Sequence, residues 1–433
     1  MSRIAYRAKY VIAESDLILQ NAVVYVSDSG RITHIGHWKD LSPDADTDVV
    51  DWGSAVIMPG LINAHAHLEL TSFHNQLTEF GSFTDWLSQL INRRRTWTDE
   101  DFLSSAREGA KLSLASGTTL AGDITSCGLG WKATRGEVLR RVVFEEAIAL
   151  SPDQADPVLE RLNPLFNQTD PDFLLVHGIS PHAPYSVSPR LYIRAAEKAR
   201  KMGMILATHL AETQSEIQLL RDGTGEFRDF LSAMGVLPPE WTPPGLSPVA
   251  YLGNLGVLGP NCLLVHCNYL DPASIETICK TQSSVVYCPR SHEHFGHEKH
   301  PIRDLLDQGI KVALGTDSLA SNSSLSIIDE MRFLFQKRKD LNPAEIFKAA
   351  TANAADALNF RGVLGCLKPG YWADMTVVRF PQSPKPNQLL DQMLEGCGDC
   401  IASIVRGQIA WLMPDVPGMS TKGDHPAYPP DDP

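Results

Sequence analysis

The chain has 433 residues, of which 43% are hydrophobic, enough apolar material for a large core and a smaller second unit. Its formal net charge is −13 with no long basic run, which argues against nucleic acid and anionic membranes as partners. The N-terminal ten residues lack the apolar core of a signal peptide, and no apolar stretch is long enough to span a bilayer, so a cytoplasmic protein is expected.

In chain order, short alternating runs come first: Tyr10–Ala13, Ala22–Val26, Arg31–Ile35 and Asp48–Val50, separated by turn signals such as Asp28-Ser29-Gly30. Similar strands return late, at Asp374–Val378 and within Ser403–Trp411. Neither end has enough strands for a stable sheet alone. Paired, residues 1–57 and 366–413 would make one β-sandwich domain, with 414–433 as a mobile tail rich in Pro, Asp and Gly.

Between them, in residues 58–365, apolar strands alternate with helical patterns, which implies a parallel sheet. Strands are expected near 61–67, 118–125, 141–148, 172–180, 203–209, 262–266, 284–288 and 311–316. That is the number a closed (β/α)8 TIM barrel needs, so the fold class is α/β. The segment 210–260, with Pro238-Pro239, Pro243-Pro244 and Pro248, is longer than a plain crossover and is expected to hold extra helices or a lid.

Four of these apolar strands end in metal-type residues. His65-Ala66-His67 closes the run from Ala55 to Ala64, and residues i and i+2 of a strand share a face. Met204–Leu210 carries His209, with Glu212 three residues on; Cys262–His266 ends in His266; Ile310–Asp317 ends in Asp317. In a parallel barrel all strand C-termini meet at one face, where active sites sit. The set therefore reads as a site for a divalent metal. The cysteines look different. Cys262, Cys279 and Cys288 sit in apolar runs and read as reduced core residues, and Cys397-Gly398-Asp399-Cys400 is a lone pair with no second pair to complete a zinc site.

These pieces resemble the amidohydrolase superfamily in its aminohydrolase branch, which deaminates nucleobases and nucleosides. The resemblance rests on Pro59–His67, Thr208–Glu212, Val265-His266-Cys267, Cys288-Pro289-Arg290-Ser291, Gly315-Thr316-Asp317-Ser318 and a C-terminal stretch from Thr351 to Asp374. Binuclear members carry a carboxylated lysine on the fourth barrel strand. Residues 172–180 contain no lysine, so the resemblance implies one metal, held by His65, His67, His209 and Asp317, with zinc first and iron second. It also implies roles: water activated at the metal attacks an amidine carbon, Asp317 takes its proton, Glu212 protonates the adjacent ring nitrogen, and His266 polarises the attacking oxygen.

Specificity is read from loops. His182, in Ser180–Ser188, resembles a substrate-contacting histidine of adenosine-type deaminases, and Glu79, in Thr78–Leu87, a glutamate that grips ribose hydroxyls. With Leu68-Glu69-Leu70 and Gly122–Ser126 these point toward aminodeoxyfutalosine deaminases of menaquinone biosynthesis. Arg93, Arg94 and Arg95 are expected on a solvated helix face, with contact to a substrate carboxylate as the alternative. The chain departs from many relatives in having His292 after Cys-Pro-x-Ser, followed by His294, His297 and His300; these read as a loop near the pocket mouth, with a second metal as the alternative. The expected function is deamination of a purine-type nucleoside, the expected partners a small-molecule substrate and further copies of the chain. Hydrolysis of another C–N or C–Cl bond, as for guanine, cytosine or triazines, is the alternative. An inactive scaffold barrel is disfavoured by the intact ligand set.

Overall fold

A computed structural model describes residues 2–41, 43, 46–77, 80–126, 128–133, 138–168, 170, 174–414 and 416. Two sheets organise it. The first mixes strands from both ends of the chain: β1 (Ser2–Glu14), β2 (Leu17–Ser27), β3 (Ile32–His37), β4 (Asp48–Asp51) and β5 (Val56–Pro59). The second is wholly parallel: β6 (Leu61–Ala66), β7 (Thr118–Thr125), β8 (Arg140–Ala147), β9 (Leu175–Pro181), β10 (Ile205–Leu210), β11 (Cys262–His266), β12 (Ser284–Tyr287) and β13 (Val312–Leu314). The chain then returns to the first sheet with β14 (Met375–Arg379), β15 (Asp399–Val405) and β16 (Gln408–Leu412).

The parallel strands run in sequence order from β6 to β13, and an Ala66–Asp317 bridge joins the last to the first. The sheet is therefore a barrel. Its side chains alternate as burial on two faces requires. Ile205 and Ala207 on β10 and Leu263 and Val265 on β11 fill the inside, while Leu206 and Leu264 pack outward among the helices.

In the first sheet the order is β16-β15-β14-β5-β1-β2-β3, with β4 also on β1. Tyr6 and Val24 near one end share a core with Met375 and Ile404 near the other, which gives the β-sandwich packing. The late run 403–411 splits into two strands, because Arg406 and Gly407 both take positive φ and turn the chain back on itself. Cys279 lies in the helix Pro272–Thr281 rather than in a strand. Among the described cysteines all are free, Cys397 and Cys400 included. No helix among the described residues is long and apolar enough to cross a membrane.

Two helices follow β6 and shape the barrel mouth. α1 (Phe83–Arg94) starts at Ser82, whose hydroxyl accepts from the Asp85 N–H. α2 (Asp99–Ala115) starts with a reciprocal capping box between Thr98 and Asp101. The long segment after β10 holds three helices, Gln214–Asp222, Glu226–Ala233 and Pro248–Asn254, as the excess length demanded.

Candidate active site

The barrel's C-terminal mouth opens into a cavity of about 280 Å³. His67, His182, His209, Glu212, His266 and Asp317 line its floor, and Phe83, Trp86, Leu87, Leu90, Phe230 and Met234 form much of its upper wall. The upper wall comes from α1 and from the helix Glu226–Ala233 with the residues just after it.

Strand geometry delivers the floor residues. His209 follows Ile205 and Ala207 on the inner face of β10. A register shift between β6 and β7 across Asn63–Ala66 brings the His65–His67 pair to the mouth after the inward Ile62 and Ala64. At the ends of β11 and β13, His266 has φ +72 and Asp317 φ +61, left-handed backbone in non-glycine residues. Such conformations cost energy and persist where the surroundings over-determine them. Here they do. His300 Nε2 donates to the His266 carbonyl at 2.8 Å, and the Asp317 N–H donates to the His65 carbonyl at 3.0 Å.

His65, His67 and Asp317 offer ligand atoms within 4.8 Å of one another, and so do His65, His209 and His266. Asp317 Oδ1 lies 3.6 Å from His65 Nε2 and 3.7 Å from His67 Nε2. The His65 Nε2 atom is buried with no hydrogen-bond partner among the described residues. His209 Nδ1 faces the His182 carbonyl at 2.9 Å, which leaves its Nε2 free for the cavity. This outer hydrogen bond fixes the tautomer in the way a metal-ligating histidine needs. Burial, followed by neighbouring imidazoles, holds His67 and His209 well below the usual histidine range, so both are neutral at pH 7. Neutral imidazoles with one carboxylate fit a single divalent ion of the zinc or iron kind.

Asp317 is fastened on its other side. The Ser291 and Ser321 hydroxyls donate to Oδ2 at 2.7 and 2.9 Å, and the Ser318 N–H donates to Oδ1 at 2.8 Å. Three donors favour the ionised carboxylate. Glu212 differs: burial first, then the charges of Asp317 and Glu216, push its carboxyl well above the usual range. It lies 3.4 Å from His266 Nε2, and burial lowers His266 to about 3. Glu216 accepts from the Ala211 and Glu212 N–H groups at 3.0 and 2.9 Å and so sets the loop that carries Glu212.

The other residues singled out from the sequence divide. His182 lines the cavity, with Nδ1 against Ser186 Oγ at 2.6 Å. Glu79 lies outside the described residues. Of the arginine triplet, Arg93 and Arg95 are exposed, but Arg94 turns into the cavity wall, contrary to the expectation for all three. Its Nη2 donates to Glu69 Oε1 at 2.8 Å and to Ser126 Oγ. Of the four histidines expected in a loop, His292 and His294 lie in the short helix Pro289–His294, and the four do not converge on a second metal among the described residues. Instead, His292 Nδ1 meets Asn268 Oδ1 at 3.0 Å, and Asn268 Nδ2 donates to the Glu212 carbonyl at 3.0 Å. Sequence reading missed Glu146, a cavity residue at the end of β8. The signal was there: Val142–Ala147 is an apolar strand closing on two glutamates, just as its neighbours close on His and Asp.

The profile of the Amidohydrolase family matches residues 56–407. The 5-methylthioadenosine/S-adenosylhomocysteine deaminase of Pyrococcus horikoshii is 30% identical over 400 residues, covering 86% of this chain and 87% of that protein. Solved structures share the fold, these two among them. Helicobacter pylori aminofutalosine deaminase, in complex with methylthio-coformycin, has a TM-score of 0.84 at 21% identity, over 94% of this chain and 100% of the other. An adenosine deaminase from Xanthomonas campestris with bound zinc has a TM-score of 0.82 at 23% identity, over 97% and 95%. The chain belongs to the amidohydrolase family, as a hydrolase of carbon–nitrogen bonds and a deaminase.

Proposed function

We propose that the chain deaminates an adenosine-type nucleoside whose 5′ substituent is apolar or aromatic. The observation that carries this reading is the cavity's division. A polar floor of histidines and carboxyl groups lies under a wall of Phe83, Trp86, Leu87, Leu90, Phe230 and Met234. The floor suits a polar heterocycle and the wall suits an apolar extension. The relatives that act on 5-methylthioadenosine support it. Aminodeoxyfutalosine, with its aromatic extension, belongs to the same class of substrate, and a place in menaquinone biosynthesis is part of this reading.

His65, His67, His209 and Asp317 would hold the metal, which supplies Lewis acidity and lowers the pKa of a water toward neutrality. The chain's own residues handle the protons. Glu212, whose carboxyl burial pushes well above the usual range, gives its proton to the ring nitrogen beside the amidine carbon. Asp317, held by its serine donors, takes the proton of the attacking water and passes it to the exocyclic amine, which leaves as ammonia as the carbon–nitrogen bond breaks, while Glu212 recovers a proton from the new hydroxyl. His266, neutral and 3.4 Å from Glu212, hydrogen-bonds the attacking oxygen. His182 contacts the purine edge away from the amine. The apolar wall excludes bulk water from these transfers.

The test is an ammonia-release screen of metal-loaded protein against 5′-methylthioadenosine, aminodeoxyfutalosine, adenosine, guanine, cytosine and chlorinated triazines. The 5′-extended nucleosides should be turned over at least about a hundredfold faster, in kcat/KM, than any free base or triazine, a margin of about 2.7 kcal/mol. A free base or a triazine as the best substrate would overturn the reading.

A further inference from the structure

Glu212 sits on a loop beyond the end of β10, so the aim of its carboxyl group depends on what holds that loop. The Glu216 carboxylate holds its N–H. The carbonyl side is held from the next strand. Past Leu210 and His266, the last paired residues of β10 and β11, the two chains keep running side by side. The Cys267 N–H donates to the Leu210 carbonyl at 2.9 Å, and the Tyr269 N–H to the Ala211 carbonyl at 3.1 Å. Asn268 adds a third rung with its side chain, Nδ2 donating to the Glu212 carbonyl at 3.0 Å. Ala211 and Cys267 have φ +50 and +53, so this register is kept without regular strand backbone and depends on such contacts.

A carbonyl only accepts, so Asn268 presents its amide nitrogen to Glu212 and its oxygen to the other side. There Oδ1 meets His292 Nδ1 at 3.0 Å, and the imidazole is the donor. His292 stands on the short helix Pro289–His294, next to Ser291, whose hydroxyl donates to Asp317 Oδ2. Adjacent residues of one helix thus reach toward both carboxyl groups that move protons. Asn268 and His292 are 4% and 8% exposed, and neither lines the substrate cavity among the described residues. The path from His292 passes through an amide and ends on a carbonyl, so it brings no proton to Glu212. What a buried chain of made hydrogen bonds does supply is rigidity.

We propose that Asn268 and His292 are positioning residues for Glu212: through its carbonyl they aim its carboxyl group at the ring nitrogen, without touching the substrate. This rests on the reading above in which Glu212 is the proton donor. Asn268 follows His266 by two residues, so the same contact ties the Glu212 loop to the strand end that carries His266 Nε2, 3.4 Å from the Glu212 carboxyl.

The test is steady-state kinetics of the metal-loaded full chain, with the faster of 5′-methylthioadenosine and aminodeoxyfutalosine as substrate and metal content measured in every variant. Asn268→Leu removes the donor and should lower kcat about tenfold while KM changes less than about twofold, as for an interaction that matters only in the transition state. His292→Leu should lower kcat by at least about threefold. In His292→Asn the amide nitrogen takes the place of Nδ1, and kcat should return to within about twofold of wild type. The decisive arm is the Glu212→Gln background, where Asn268→Leu should lower kcat by less than about twofold further, because no proton donor is left to position. The His292 variants, alone and in that background, serve if Asn268→Leu does not fold.

An undiminished kcat in Asn268→Leu overturns the proposal. So does an equal loss in both backgrounds, or a loss that follows metal content, since either marks a merely structural role. His292→Asn no better than His292→Leu overturns the part given to His292. Near-normal turnover in Glu212→Gln removes the proton-donor reading and this proposal with it. A loss of about a hundredfold there, beside wild-type turnover in Asn268→Leu, removes this proposal alone. No turnover of either nucleoside by wild type removes both.

Discussion

The imidazole of His300 donates from Nε2 to the carbonyl oxygen of His266, 2.8 Å away. A carbonyl can only accept, so the tautomer of His300 is fixed with its proton on Nε2. Burial lowers His300 well below the usual histidine range, and its ring stacks on Tyr287 at 3.8 Å between centroids. The bond holds His266 in its left-handed conformation. His300→Ala should therefore lower kcat more than it raises KM, and should cost about 1–3 kcal/mol of stability for the buried carbonyl left without a donor. Steady-state kinetics with urea unfolding will check this; full activity would mean that the carbonyl contact is not what positions His266.

Metal content gives a second prediction. Purified protein should carry about one divalent ion per chain, as three imidazoles and one carboxylate imply. His209→Ala and Asp317→Ala should lose metal and activity together, measured by elemental analysis and ammonia release. Two tightly held ions per chain would contradict a mononuclear site.

Glu212→Gln should keep its metal and its fold, because Glu212 is assigned to proton transfer and not to ligation. Turnover should fall by at least about a hundredfold, the range for a general acid–base group. Near-normal turnover would place the proton donor elsewhere.

Arg140 and Asp374 tie the barrel to the terminal domain. Nε and Nη2 of Arg140 donate to the Asp374 carboxylate at 3.0 and 3.2 Å, with side-chain exposures of 0% and 1%. Arg140→Met should leave that carboxylate buried with no opposite charge and, among the described residues, only the Arg406 N–H as donor, costing about 3 kcal/mol. Arg140→Met with Asp374→Leu should recover part of the loss. Thermal unfolding of both variants decides it; a harmless single substitution would show that the pair adds little to domain docking.

The clustering of the floor residues was legible because their chemistry is carried by residue type at strand ends. His65, His209, His266 and Asp317 each stop an apolar run, and a parallel barrel has one place for such stops to meet. Arg94 was harder, since three consecutive arginines look alike in a sequence. The helical period separates them: Leu87, Leu90, Ile91 and Arg94 fall on the cavity-facing stripe of α1, while Arg93 and Arg95 point to solvent. Glu146 was missed for another reason. Glu145 and Glu146 are neighbours on β8, and only the register, with Val142 and Phe144 inside, says which one faces the mouth. The contacts of the histidine segment could not be read, because its bonds to Asn268 and to the His266 carbonyl join residues 24 and 34 positions apart.

The ring of parallel strands closes at Ala66 and Asp317, through two N–H groups, of Thr316 and Asp317, that both donate to the His65 carbonyl at 3.0 Å. The seam is therefore made of the same segments that bear His65, His67 and Asp317. An ion held by those residues would act there as a rivet, and its occupancy and the integrity of the hoop would then belong to one equilibrium. Stripping the ion with a chelator should unzip β6 from β13 before any other pair, and amide hydrogens of Thr316 and Asp317 should be the first in the barrel to exchange with deuterated solvent. Binding strength at the mouth would then be readable, without any substrate, from how long the hoop stays shut.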